Sequence, residues 1–272
     1  MQGGAETPRS YWRGVWLRLR LDPASLAFGG ILALIVLSAV FAPLIAPYDP
    51  YADNIMRRLA EIGSPGHALG TDELGRDMVS RLLYGGRVSL FVGIFPVVCA
   101  TLIGGFAGIL AGYAGGRLNM LIMRVMDVLY AFPSVLLAIA ISGGLGAGFF
   151  NVILSLTLIL IPPITRVAES VTTQVRSYDF VEAARTSGAG TFTIIRVHVL
   201  SNVLGPIFIF SSSLFSFSII VASGLSFLGL GVTPPTADWG LMLSTLRQSI
   251  WVNPLVAALP GVMIFVTSLC FN

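Results

Sequence analysis

Six apolar runs constrain what this chain can fold into. Leu26–Ala46, Val88–Ala111, Asn119–Ile141, Phe150–Thr165, Asn202–Ser223 and Leu255–Phe271 carry almost no charge. Their lengths sit near the about 20 residues a helix needs to cross a bilayer core, the fourth being rather short. The third run holds Arg124 and Asp127. Runs this long exclude strands, and no repeat with a period of roughly 20–50 residues is present. Charged residues make up 11% of the chain and mean hydropathy is +0.86, against roughly a quarter charged in soluble domains. A soluble chain of 272 residues could bury a large core, but it would still need charge to cover its surface. The expected fold is therefore an all-α membrane protein with six transmembrane helices facing the lipid bilayer.

All sixteen basic residues are Arg, and Lys is absent. That absence excludes a phosphate-binding G-x-x-x-x-G-K-[ST] loop in this chain. The Arg residues are scattered rather than striped, which argues against a nucleic-acid partner. Cys99 and Cys270 fall in apolar segments and read as buried small hydrophobes rather than a disulfide or a metal site. With the N-terminus inside, ten Arg (9, 13, 18, 20, 117, 124, 166, 176, 185 and 196) lie on the cytoplasmic side and six (57, 58, 76, 81, 87 and 247) outside. This asymmetry favours an N-in, C-in topology. The first run is read as a span rather than a cleaved signal core, because its preceding segment is too long for that role. Trp12, Trp16 and Leu19 share a helical face there, fitting an interfacial helix.

Residues 169–200 form a polar hairpin between the fourth and fifth runs, on the cytoplasmic side in this topology. Asp179 stands three residues before Glu182, a capping-box-like spacing for a helix beginning near Phe180. Gly188 is placed to end that helix with a left-handed residue. Two turns are too short to persist in water alone, so packing must hold them. Ala183 and Ala184 permit close approach, and Phe180 and Val181 offer apolar contact. Thr191 can cap the next helix, which runs through Arg196 and His198 into the fifth span. On physics alone, this segment could seat against a soluble partner or lie on the lipid headgroups.

Glu182-Ala183-Ala184-x3-Gly188 with Leu200 resembles the E-A-A-x3-G-x9-I-x-L-P signature of binding-protein-dependent ABC importer permeases. His198 stands in place of the Ile and Ser201 in place of the Pro. His198-Val-Leu followed by Asn202 is similar to the H-I-L-P-N form of the peptide-importer branch. His67–Asp77 with Ser80–Arg87 resembles the segment before the second span in dipeptide and oligopeptide permeases of the C type. Leu225–Gly231, Pro234-Pro235-Thr236 and Trp239-Gly240 resemble their fifth-to-sixth loop, and Arg124–Pro133 their third span. The resemblance covers roughly residues 20–272.

It implies a type I ABC importer permease fold in a bacterial cytoplasmic membrane. The segments would be an N-terminal tail or interfacial helix (1–25), a first span (26–46), a folded extracytoplasmic loop (47–86) and a five-helix permease domain (87–272). The implied partners are a homologous second permease, two ATP-binding subunits and an extracytoplasmic solute-binding protein. ATP and Mg would sit on the ATPases, leaving this chain without cofactor or catalysis. Asp179, Phe180, Glu182, Ala183, Ala184, Arg185, Gly188 and His198 would couple it to them. The implied substrates are di- or oligopeptides, with nickel, glutathione or an opine as alternatives within the class. A lone secondary transporter is a weaker reading, since inverted repeats are not evident. Relatives of this kind lead one to expect a short cytoplasmic tail beyond Asn272.

Other residues draw structural expectations. His67, Asp72, Glu73 and Asp77, mixed with Arg76 and Arg81, predict an outer loop held by internal salt bridges rather than a metal site. Arg124 and Asp127, three apart, predict a self-neutralising pair or a gate or interface contact. Pro133, Pro162 and Pro163 can kink their helices. Gly104-x3-Gly108-x3-Gly112 predicts close helix packing, and Trp239 and Trp251 are expected to anchor the outer interface. No Ser/His/Asp or paired-carboxylate constellation is recognisable within the spans.

Overall fold

The computed structural model describes residues 22–272, so the interfacial helix expected around Trp12 and Trp16 lies outside the described residues. Its helices are α1 (Pro23–Val40), α2 (Met78–Ala114), α3 (Gly116–Tyr130), α4 (Ser134–Leu145), α5 (Phe149–Arg176), α6 (Asp179–Thr186), α7 (Leu200–Phe227), α8 (Trp239–Thr245) and α9 (Pro254–Phe271). Two short helices, Ala42–Ile45 and Thr191–Thr193, complete the α-helical set. No strand occurs among the described residues. Five helices are long and apolar enough to cross a membrane, the fifth-run helix being counted from Thr191. The α3–α4 pair, bent by 82°, meets the same test only when its two halves are taken together. The third run is thus two helices meeting at Pro133, where a kink is expected, with a full break in place of a bend within one helix. Pro133 opens its second half, because its ring forces the preceding residue out of the helical region.

Asx caps start several spans. The Asp22, Asp77, Asp238 and Asn253 side chains each accept a bond from a backbone N–H in the first turn of α1, α2, α8 and α9. Two of these helices also place Pro at the first position, where its missing N–H costs no helical bond. At 37 residues, α2 is about 55 Å long. It begins ten residues before the apolar run that marks it in sequence.

The central contact joins α2 to α5. A Cβ on Gly104 would sit 2.8 Å from the Ile161 carbonyl, and one on Gly112 2.6 Å from the Glu169 carbonyl. One on Gly108 would overlap the Thr165 carbonyl and lie 2.5 Å from Ala168 Cβ. The glycine stripe therefore serves packing within this chain. Pro162 and Pro163 lie inside a continuous α5. Around this contact, α7 closes the main core with Val203, Ile207 and Leu225. A second core forms between α1, α2, α8 and α9.

Trp239 belongs to that second core and is fully buried, unlike the interfacial anchor expected. Its indole N–H donates to the Leu82 carbonyl at 2.9 Å, and its backbone N–H to Ser89 Oγ. Ser89 Oγ in turn donates to Asp238 at 2.6 Å. Gly85 and Gly86 make room, since a Cβ on either would press the indole at about 3 Å. Trp251, in contrast, is 90% exposed. Cys99 and Cys270 are free and half-buried, less enclosed than expected.

The loop before α2 is held by ion pairs, as its mixed charges predict. Buried Asp72 takes Arg76 Nε at 2.6 Å and lies 3.1 Å from Arg81 Nε. Glu73 meets Arg76, and Asp77 receives His67 Nδ1 at 2.9 Å. The Asn253 amide donates to the Leu59 and Ala60 carbonyls, tying the loop to the start of α9.

Candidate functional site

The hairpin lies at the end of α2 opposite that loop. Gly112 packs on α5 beside Glu169 and Thr172, and the Arg176 guanidinium donates to its carbonyl at 3.4 Å. Asn119 on α3 donates to the Glu169 carboxylate at 2.6 Å, and Thr173 adds a second bond. The base of the hairpin, at the end of α5, is therefore clamped to α2 and α3.

The chain then turns through Ser177 and Tyr178 into α6. Tyr178 is the N-cap, with extended backbone and no side-chain bond to the helix. Asp179 is thus the first helical residue rather than the cap that its spacing to Glu182 suggests. Both carboxylates occupy the first turn, where the unpaired N–H groups favour negative charge. At the other end Gly188 has φ +84°. Its N–H bonds to the Arg185 carbonyl, and the Ala189 N–H to the Ala184 carbonyl. This pair of bonds is a Schellman cap, which requires the left-handed residue expected at Gly188.

One side of α6 is fixed to its own chain. Val181 is fully buried, and Ala184 packs against the same core, which includes Ile194 and Val199. Phe180 is half exposed, its ring 5.7 Å from Tyr178 and 6.1 Å from His198. The apolar contact offered by Val181 and the close approach permitted by Ala184 are thus made inside the subunit. The outward face carries Asp179, Glu182, Ala183 and Thr186, spaced at three, four and seven residues. Arg185 is exposed beside them.

After Gly190 the chain re-enters helix at Thr191, with Gly190 rather than Thr191 as the N-cap. Ile194–Val199 is a π-helical stretch, and it runs without a break into α7. His198 sits in this stretch, half-buried. Ser201 Oγ donates to the Val197 carbonyl at 2.8 Å, and the Asn202 amide to the His198 carbonyl at 2.6 Å. Where the signature has Pro, this chain uses two side chains to satisfy the loosened carbonyls. Such wide turns commonly mark functional sites.

The charged residues of the third span pair differently from expectation. Asp127 meets Arg166 of α5 at 2.6 Å, not Arg124. The Arg166 guanidinium also lies 5.0 Å from the Tyr130 ring centre. Arg124 is exposed and has no ion-pair partner among the described residues. Next to the α3–α4 break is a cavity of about 410 Å³, lined by Tyr130, Phe132, Pro133, Pro162, Pro163 and Phe210 among others. The hairpin motif gave no sign of Tyr178, the π stretch or the Asn119–Glu169 clamp. Asn202, four residues after His198, was the one local hint of the carbonyl it covers.

Five helices apolar and long enough to cross a membrane, a sharply bent helix pair and a capped polar hairpin at one end define a polytopic membrane protein. The solved structure titled "Inward facing conformations of the MetNI methionine ABC transporter" has the same fold, with a TM-score of 0.59 at 15% identity, covering 71% of this chain and 92% of that one. The family described as "Binding-protein-dependent transport system inner membrane component" matches residues 104–272. The "N-terminal TM domain of oligopeptide transport permease C" matches residues 10–61. Among curated relatives, the glutathione transport system permease protein GsiD of Pectobacterium atrosepticum is 41% identical, over 97% of this chain and 88% of its own length. The di/tripeptide transport system permease protein DppC of Pseudomonas aeruginosa is 41% identical, over 90% of this chain and 84% of its own. The chain belongs to the family of binding-protein-dependent inner-membrane components and is a multi-pass permease subunit of an ABC importer.

Proposed function

We propose that this permease imports short peptides and is driven through α6. The single observation that carries the reading is mechanical. Val181 pins α6 to Ile194–Val199, which continues into α7, while Asp179, Glu182, Ala183 and Thr186 face away from the subunit. A force applied to that outward face is therefore passed to a membrane span. The partners in this reading are two ATPase subunits, a homologous second permease and an extracytoplasmic solute-binding protein. ATP and Mg bind on the ATPases, and this chain contributes no catalytic group. The lack of any Lys supports that division, since a Walker loop needs one. In this arrangement the hairpin end is cytoplasmic, N-in and C-in, and the 46–77 loop faces the binding protein.

Two 41%-identical relatives support the peptide class, one named for di- and tripeptides and one for glutathione, itself a modified tripeptide. The test is to change Glu182→Ala and Gly188→Val together and measure co-purification of the ATPases and peptide uptake. Both should fall. Undiminished binding and uptake would sink the coupling assignment.

A further inference from the structure

A groove of about 630 Å³ runs between α1 and the half of α2 nearer the 46–77 loop. Its volume is within the roughly 300–1,000 Å³ of ligand sites. Polar groups gather at one end only, where Tyr51, Tyr84 and Arg87 form the mouth. Below them the walls are apolar. Phe91 stacks on Phe95 at 4.9 Å and on Phe149 at 5.6 Å, while Val36 and Val40 close the α1 side. We propose that this groove binds an anionic phospholipid, with an acyl chain along Phe91–Val98 and the phosphate at Arg87.

Two observations commit the site to that occupant. On α2 the lining residues Tyr84, Arg87, Phe91, Phe95 and Val98 form one helical stripe, polar first and apolar after. From Arg87 to Val98 the stripe descends about 16 Å, close to half of a roughly 30 Å hydrocarbon core, so it is one leaflet deep. Arg87 immediately precedes the apolar run, is exposed, and has no ion-pair partner among the described residues. A guanidinium at that level presents its paired N–H groups to phosphate oxygens, and its unpaired charge is complementary to a headgroup of net negative charge.

The assay uses the intact transporter complex in nanodiscs of phosphatidylcholine with or without phosphatidylglycerol, in the background Phe95→Trp. Brominated phosphatidylglycerol should quench the added fluorescence several-fold more than brominated phosphatidylcholine at equal mole fraction. Arg87→Gln, an exposed change that leaves the fold intact, should abolish that preference. Val98→Phe should fill the deep end, without adding a second indole to the groove, and reduce quenching by either lipid. Equal quenching by the two lipids, or an unchanged preference in Arg87→Gln, overturns the proposal. So does no quenching by either, the result expected if a protein segment covers the groove. Native mass spectrometry of the wild-type complex gives a second readout, in which phosphatidylglycerol should be retained and phosphatidylcholine lost. None of these outcomes depends on the solute carried or on the hairpin's role.

Discussion

Gly105 and Gly108 are three residues apart in the same helix, yet replacing them should have opposite consequences. At Gly108 an added methyl would overlap the Thr165 carbonyl, lie 2.5 Å from Ala168 Cβ and 2.9 Å from the Glu169 N. Carbon atoms rest at about 3.5–4.0 Å, so α2 and α5 must part by roughly 1 Å at this level. Two of the three obstacles are backbone, which no rotamer change can move. Overpacking of this kind costs typically ~1–3 kcal/mol. The same displacement strains the Asn119–Glu169 bond one turn below, at 2.6 Å. At Gly105 the nearest atom to a built Cβ is Ile207 Cγ2, at 3.8 Å, an ordinary contact. There Ala should be neutral, or stabilising by up to about 0.5–1 kcal/mol through helix propensity. The assay is thermal unfolding of the purified subunit in one detergent, followed by the reactivity of Cys99 and Cys270. Gly108→Ala should lower the midpoint by several degrees and Gly105→Ala should not. A Gly108→Ala protein as stable as the wild type would refute the backbone contact drawn here between α2 and α5.

The remaining predictions concern charge and the hairpin. Asp72→Asn leaves buried Arg76 and Arg81 without their shared carboxylate. Breaking a buried pair costs about 3–5 kcal/mol, and limited proteolysis should cut the 46–77 loop faster. Arg166→Gln removes an ion pair whose side chains are nearly half exposed, so stability in detergent should change by under about 1 kcal/mol. Arg124→Gln should change it no more, and loss of the pair should be visible only when Asp127 or Arg166 is altered. Val181→Ala removes two buried methyl groups, and amide exchange across 179–189 should accelerate in the variant while the spans stay protected.

The features written in local spacing were the legible ones. Six apolar runs gave the spans, and the glycine at every fourth position from Gly104 gave the tight α2 face. The offset from Glu182 to Gly188 gave a helix with a left-handed end. What failed to show depends on partners far along the chain. Arg124 and Asp127 look paired because they are three apart, but Asp127 reaches Arg166, thirty-nine residues later. Trp239 follows no interface rule because Ser89 and Leu82, about 150 residues away, satisfy its two N–H groups. Pro133 signalled a kink, but not its size, since an 82° bend is set by what the two halves pack against. Val181 and Phe180 are neighbours of similar character, and only the position of Ile194–Val199 decides which one turns inward. The π stretch left no sequence trace beyond Ser201 and Asn202, whose side chains cover its carbonyls.

Coupling through the outward face of α6 is tested most directly by cysteine cross-linking. Single cysteines at each position from 179 to 186, in a background lacking Cys99 and Cys270, are cross-linked to the ATPase subunits of the assembled transporter. Yield should peak at Asp179, Glu182, Ala183 and Thr186 and fall to background at Val181, following the helical period. Cross-links absent from all four outward positions, or strongest at Val181, would contradict coupling through this helix.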